Sequence, residues 1–170
     1  MAVVDNQDMG RFIFIAAVII FIACSGPVRQ TVTYPEPLAK KSARQLVLEA
    51  NKHIGEPYRY GGTSSGGWDC SGFVRTVFSH SLSLQLPRSS EEMHSLGIEI
   101  PLAMGRAGDL VFFNIKSKKP SHVGIYIGNY DFIHVSSTQG VVISSLQDQY
   151  YKRHFLGIRR IPFSSIAISR

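Results

Sequence analysis

Cys70 is the residue in this chain best placed to do covalent chemistry. It stands between Asp69 and Ser71-Gly72, and Phe73, Val74, Val77 and Phe78 follow as one apolar stripe. Asp69 suits an N-cap, so the spacing predicts a helix that starts near Cys70. At the first turn of a helix, unpaired N–H groups and the positive end of the dipole face the side chain. Both stabilise a thiolate, the reactive form of cysteine, and are expected to lower the thiol pKa. The same N–H groups, with Ser71 beside them, suit the oxyanion of a tetrahedral intermediate. Gly72 lets another segment pass close to the helix.

A cysteine nucleophile needs a base, and six histidines offer themselves. His122 opens a strand-like run after a loop carrying Lys116, Lys118 and Lys119, and His134 lies on the next such run. Together they offer a base and an orienting partner. His53 falls near a helix end, His80 and His94 on faces expected to be exposed, and His154 in a basic, exposed stretch; these read as structural. The pairing register tests the His122/His134 idea, because opposed hairpin residues share a face. A two-residue turn at Asn129-Tyr130 sets His134 opposite Ile125, on the wrong face. A three-residue loop from Gly128 to Tyr130 sets it opposite Gly124, diagonal to His122 on the same face, with Gly124 leaving room between the rings. Catalysis by the pair therefore predicts the odd-numbered loop.

The elements that must position these residues follow from local pattern. Ala43, Leu46, Val47, Ala50 and Ile54 recur at helical spacing from Leu38, and Gly55 supplies a stop. The loop Tyr60-Gly61-Gly62-Thr63-Ser64-Ser65-Gly66-Gly67 lacks the Lys-Ser/Thr ending of a phosphate loop. A short helix fits Ser89 to Leu96, where Ser89 and Glu92 have capping-box spacing and Gly97 follows. Strands are expected at Asp109–Asn114, His122–Ile127, Asp131–Ser136, Val141–Ser144 and Phe155–Ile161. Helices first and antiparallel strands after indicate an α+β domain, with a sheet of about five strands.

The chain has 170 residues, 44 % of them hydrophobic and 18 % charged, which suits one compact domain with short extras. The net charge of +6 is spread rather than gathered into a tract, and no nucleic-acid partner is expected. Phe12 to Ala23 are all apolar, too short a run for a membrane helix, which needs about twenty residues. With Arg11 before them they read as a secretory signal over residues 1–23. Asp5 and Asp8 carry the wrong charge for its start, so Met9 is a candidate initiator. Phe21-Ile22-Ala23-Cys24 resembles a bacterial lipoprotein signal, in which Cys24 is diacylated and becomes the new N-terminus; Leu is usual where Phe21 stands. A stable anchor needs more than one acyl chain. Ser25 in place of Asp implies sorting to an outer membrane. Residues 24–37, with Pro27, Pro35 and Pro37, read as a tether of at most about 45 Å. If Cys24 is lipidated, Cys70 is left as a single thiol in an exported protein, an arrangement worth flagging.

Six segments together carry a family resemblance. They are Pro57-Tyr58-Arg59-Tyr60-Gly61-Gly62, Asp69-Cys70-Ser71-Gly72-Phe73-Val74, Leu86-Pro87-Arg88-Ser89, Gly108-Asp109-Leu110-Val111-Phe112-Phe113, His122-Val123-Gly124-Ile125-Tyr126-Ile127-Gly128 and Phe132-Ile133-His134. In this order they resemble the NlpC/p60 family of cell-wall cysteine peptidases, over residues 38–162, with 163–170 left as a tail. The resemblance implies a papain-like fold, with the nucleophile on a helix packed against the histidine-bearing sheet. It implies Cys70 as nucleophile, His122 as base and His134 as the orienting third member. It further implies Tyr58 near the active site, able to help hold the oxyanion, and Arg88 and Ser89 along the cleft. Asp69 reads as a structural cap.

The implied substrate is a peptidoglycan stem peptide, cut either at the D-Ala to meso-diaminopimelate cross-link or at the D-Glu to diaminopimelate bond within one stem. No metal or other cofactor is required. A zinc site formed by Cys70, His122 and His134, a non-catalytic wall-binding lipoprotein and a transferase with an amine acceptor stay open as other readings. A wall-cutting enzyme needs restraint, so a regulatory protease or adaptor is expected, though no residue names one.

Overall fold

The computed structural model describes residues 36–162, apart from 116 and 117. The expected signal, Cys24, most of the tether, Lys116 and the tail after 162 lie outside the described residues. Among the described residues no helix is long and apolar enough to cross a membrane.

Helix α1 spans Glu36–Asn51. It takes in Glu36 and Pro37, assigned above to the tether, because proline in the first turn lacks only an N–H that has no helical partner. It ends before Ile54, and turns carry the chain to Gly55 at φ +89°. A two-stranded ribbon follows, β1 Thr63–Ser64 and β2 Gly67–Trp68. Helix α2 spans Cys70–Leu82 and buries Phe73, Val74, Val77 and Phe78 as the stripe predicts. Helix α3 is Ser90–Leu96, with Ser89 as N-cap and the Ser89/Glu92 capping box formed. Then come β3 Ile98–Ile100, a 3-10 turn at Leu102–Met104, β4 Leu110–Phe113, β5 His122–Gly128, β6 Asp131–Ser136, β7 Gly140–Ser145, α4 Gln149–His154 and β8 Phe155–Arg160.

The main sheet is antiparallel, in the order β3-β8-β4-β5-β6-β7. It has six strands rather than about five. The extra one, β3, is a three-residue edge strand paired to β8 and too short to leave a period-two signal. Alternation of side chains sorts the strands onto two buried faces. On one face, Leu110, Phe112, Val123, Ile125, Ile133 and Val135 pack with Leu46, Phe73, Val77 and Met93 from α1, α2 and α3. On the other, Val111, Phe113, Tyr126, Phe132 and Ile158 pack with Leu146, Tyr151 and Phe155. Helix α4 supplies Tyr151 to this second core and was not anticipated, because six residues carry too little helical periodicity.

The β5–β6 hairpin reaches the required register by a different route from the one expected. Asn129 and Tyr130 have φ of +53° and +67°. They form a two-residue turn that pairs Gly128 with Asp131, yet further along Gly124 pairs with His134. The register shifts between Tyr126 and Gly128, so Ile127 is the extra residue of a β-bulge. The bulge, and not a longer loop, sets His134 opposite Gly124.

Candidate active site

Asp69 caps α2 at its start. Its Oδ1 accepts from Gly72 N at 2.7 Å and from Ser71 Oγ at 3.2 Å. Arg88 closes on the same carboxylate with both terminal nitrogens, Nη1 lying 3.0 Å from Oδ1, and Nη1 also donates to Ser71 Oγ at 2.8 Å. Burial pushes the Asp69 pKa up, but the Arg88 and Gly72 hydrogen bonds outweigh it and hold the carboxyl below its usual range. Gly72 is needed for a close approach. A Cβ there would lie 2.2 Å from Gly62 O, so the glycine-rich loop can run directly over the helix start.

That loop brings in Tyr58. Trp68 N donates to Pro57 O at 3.0 Å, Arg59 N to Trp68 O at 2.9 Å and Asp69 N to Gly62 O at 3.0 Å. The Tyr58 segment is thereby bonded to the residues just before Cys70, and Tyr58 and Cys70 both pack against the edge of the first core.

Cys70 itself departs from expectation. Burial pushes its thiol pKa up, and the Asp69 carboxylate adds to the rise. The N–H groups of Val123, Ser71 and Cys70 bond the sulfur and pull the other way, but they do not prevail. The helix start therefore does not by itself make a thiolate, and Cys70 rests as a thiol.

The histidines sit on the second face of the sheet. His122 Nε2 lies 2.9 Å from His134 Nδ1, with the rings at 85°. His134 is 1 % exposed, and burial lowers its pKa to about 4. It is a neutral imidazole near pH 7 and has one N–H and one acceptor nitrogen to share. Its Nε2 lies 3.0 Å from Ser144 Oγ and 3.1 Å from Tyr151 Oη. The aromatic rings of Phe113, Phe132 and Tyr151 enclose the pair.

A groove of about 840 Å³ brings these parts together. Its lining includes Tyr58, Cys70, Arg88, His122, His134 and Tyr151. Ser71 and Ser89 also line it, so all seven of the expected active-site residues reach one groove. Cys24 lies outside the described residues. Among the described residues no group of three or more His, Cys, Asp or Glu side chains is arranged to hold a metal ion.

The NlpC/P60 family model matches residues 55–160, more than half of the chain. The chain belongs to the NlpC/P60 family. A probable endopeptidase NlpC homolog of Haemophilus influenzae is 47 % identical over 118 residues, covering 69 % of this chain and 62 % of the relative. A protein of Escherichia coli K12 named murein DD-endopeptidase MepS/murein LD-carboxypeptidase is 44 % identical, covering 63 % and 56 %. A gamma-DL-glutamyl hydrolase of Bacillus subtilis is 42 % identical, covering 74 % and 30 %. The chain thus matches little more than half the length of the first two relatives and less than a third of the last. Among solved structures, an NlpC/P60 family protein from Bacillus cereus superposes with a TM-score of 0.65 at 31 % identity, over 71 % of this chain and 40 % of that one.

Within this NlpC/P60 domain the other histidines stand apart from the groove lining. His53 bonds Glu56 at 3.0 Å and His80 bonds Glu49 at 3.3 Å. His94 is half-buried rather than exposed, its ring set edge-on to Phe112 at 5.0 Å, and His154 is half-buried as well. Arg88 lines the groove with its charge paired to Asp69. Ser144 and Tyr151 were missed by sequence reasoning. Ser144 shares the His134 face of the sheet, which strand alternation could have revealed; Tyr151 had no such signal.

Proposed function

We propose that the chain is a cysteine endopeptidase of peptidoglycan that cuts the D-Ala to meso-diaminopimelate cross-link. The observation that carries this reading is the 2.9 Å His122–His134 contact in the groove that holds Cys70 at the start of α2. The murein DD-endopeptidase name of one relative favours the cross-link. The gamma-DL-glutamyl hydrolase name of another favours the within-stem bond as the second reading.

In the proposed mechanism His122 Nε2 keeps its hydrogen and donates it to His134. That leaves Nδ1 to take the Cys70 proton as sulfur attacks the amide carbonyl. Proton transfer during attack suits a cysteine that rests as a thiol. Once the S–C bond forms, the Cys70 N–H turns from the sulfur to the oxyanion, with the Ser71 N–H and the Tyr58 hydroxyl as further donors. His122 then returns the proton to the leaving amine, and water frees the acyl group from the thioester. Arg88 acts through Asp69, holding the helix start, and Ser89 caps the element beside it.

The anchor belongs to the same reading: an exported protein held by lipidated Cys24 at an outer membrane and working on the nearby wall. Mass measurement of the mature N-terminus tests this, and an unmodified Cys24 would sink it. For the activity, purified protein and its Cys70→Ala variant are incubated with cross-linked muropeptides and the products weighed. Dimers that become monomers only with Cys70 present are the expected result. Stems shortened to dipeptides would assign the within-stem bond instead, and no Cys70-dependent product would end the peptidase reading.

A further inference from the structure

Two hydroxyl groups behind the histidine pair have no part in the mechanism above. Ser144 Oγ and Tyr151 Oη lie 3.0 and 3.1 Å from the same atom, His134 Nε2. They come from different elements, β7 and α4, and they also bond each other. We propose that Ser144 and Tyr151 are positioning residues that jointly fix which ring nitrogen of His134 carries its hydrogen, and through it the tautomer of His122. The inference rests on the peptidase reading, in which His122 is the base.

The argument is one of hydrogen count. A neutral imidazole has one N–H and one lone pair. For His122 to receive a proton on Nδ1, its own hydrogen must be on Nε2, facing His134 Nδ1 at 2.9 Å. His134 Nδ1 must then be the acceptor, so the His134 hydrogen sits on Nε2. At 1 % exposure that N–H has no water to satisfy it, and leaving it unpaired costs about 1–3 kcal/mol. Ser144 and Tyr151 carry the two hydroxyls within reach, and each can accept from it while its own hydrogen turns to the other hydroxyl or to the groove. Without them His134 gains by moving its hydrogen to Nδ1, where it donates to His122 Nε2, because an unpaired lone pair at Nε2 is less costly than an unpaired N–H. His122 is then left with its hydrogen on Nδ1 and cannot accept from Cys70. A wrongly held tautomer of a catalytic histidine lowers turnover strongly even when the geometry is kept.

Because either oxygen suffices, the two residues are redundant. The titratable and charged groups around the pair are Tyr150 and Tyr151 on α4, Cys70, Asp69 and Arg88 at the helix start, and Tyr58 and Tyr60 along the groove. Ser144 and Tyr151 are the side chains that meet His134 Nε2 among the described residues, and the Val135 backbone also bonds the ring.

The test compares Tyr151→Phe, Ser144→Ala and the double variant on cross-linked muropeptides across pH, alongside nitrogen-15 NMR of the histidine rings in the whole protein. Each single variant is expected to lose less than about threefold in kcat/KM and the double variant at least about thirtyfold, a clear excess over the product of the singles. The acid limb of the double variant should move to lower pH, since protonated His122 loses its acceptor. Near pH 7 the wild-type His134 ring should show hydrogen on Nε2, and the double variant should show it on Nδ1. A wild-type ring with hydrogen on Nδ1, or single and double variants that merely multiply with an unmoved acid limb, overturns the proposal. The wild-type NMR reading needs neither turnover nor a folded variant. A wild type that holds the Nε2–H tautomer yet cleaves nothing therefore counts against the peptidase reading and not against this one.

Discussion

Gly124 leaves no space for a side chain. A Cβ there would stand 2.9 Å from Phe132 Cδ2, 3.0 Å from Ile133 O and 3.1 Å from His134 Cβ. Gly124→Ala therefore requires Phe132 and His134 to shift by a few tenths of an ångström, at the residue that His122 Nε2 meets. The expected result is a loss of about 10-fold in kcat/KM, since a shift near 1 Å costs about 10²-fold. The accompanying overpacking should cost about 1–3 kcal/mol in a urea melt. Tyr58→Phe probes the oxyanion role separately. Loss of one donor there is expected to lower kcat about 10²-fold without shifting the unfolding midpoint; a variant with full kcat would leave Tyr58 as packing alone. Arg88 is tested through the sulfur. The Asp69 carboxylate already raises the thiol pKa, and Arg88→Ala removes the cation bonded to it. The pH dependence of iodoacetamide alkylation should then move up, and that of Asp69→Asn down.

Among the elements, α2 and α3 could be read from their caps, because capping is local: Asp69 and Ser89 accept the bonds that their spacing to Gly72 and Glu92 implies. Strand β6 was legible to the residue, as a short run rich in Phe, Ile and Val between turn residues. The bulge at Ile127 was not, since one unpaired residue leaves the apolar pattern of β5 unchanged. Nor was the second core, whose closure by α4 depends on contacts distant in sequence. The face shared by the histidines was nevertheless correct, for it follows from the demand that the two rings meet and not from the loop type. Deleting Ile127 tests the bulge directly. It would make Tyr126–Phe132 and Gly128–Asp131 successive pairs and leave His134 opposite Gly124, because the residue removed is the unpaired one. A folded, active deletion variant is expected, whereas loss of activity or a steep fall of the unfolding transition would show that the bulge does more than absorb one extra residue.

At the scale of the whole molecule, buried polar groups tie folding to pH. His134 has a folded pKa of about 4 against an ordinary histidine value of 6.5. The unfolded chain takes up the proton first, so this contribution is complete above about pH 6.5 and is lost as pH falls towards 4. The difference corresponds to about 3 kcal/mol. Urea melts between pH 7.5 and 4 should show that slope, and His134→Asn should flatten it; equal slopes would mean that His134 is not buried neutral. Asp109, 3 % exposed, is held by Arg160 through two bonds of 2.8 Å each. Removing one partner of such a pair leaves a buried charge alone and costs about 3–5 kcal/mol. Arg160 is partly exposed, so Asp109→Ala should cost somewhat less in the same melts. The resting state of Cys70 has a bearing beyond turnover. Peroxides and disulfides attack the thiolate far faster than the thiol. A sulfur that stays protonated until His122 takes its hydrogen is sheltered between encounters, so the protein should age slowly among oxidants that quickly disarm more acidic cysteines.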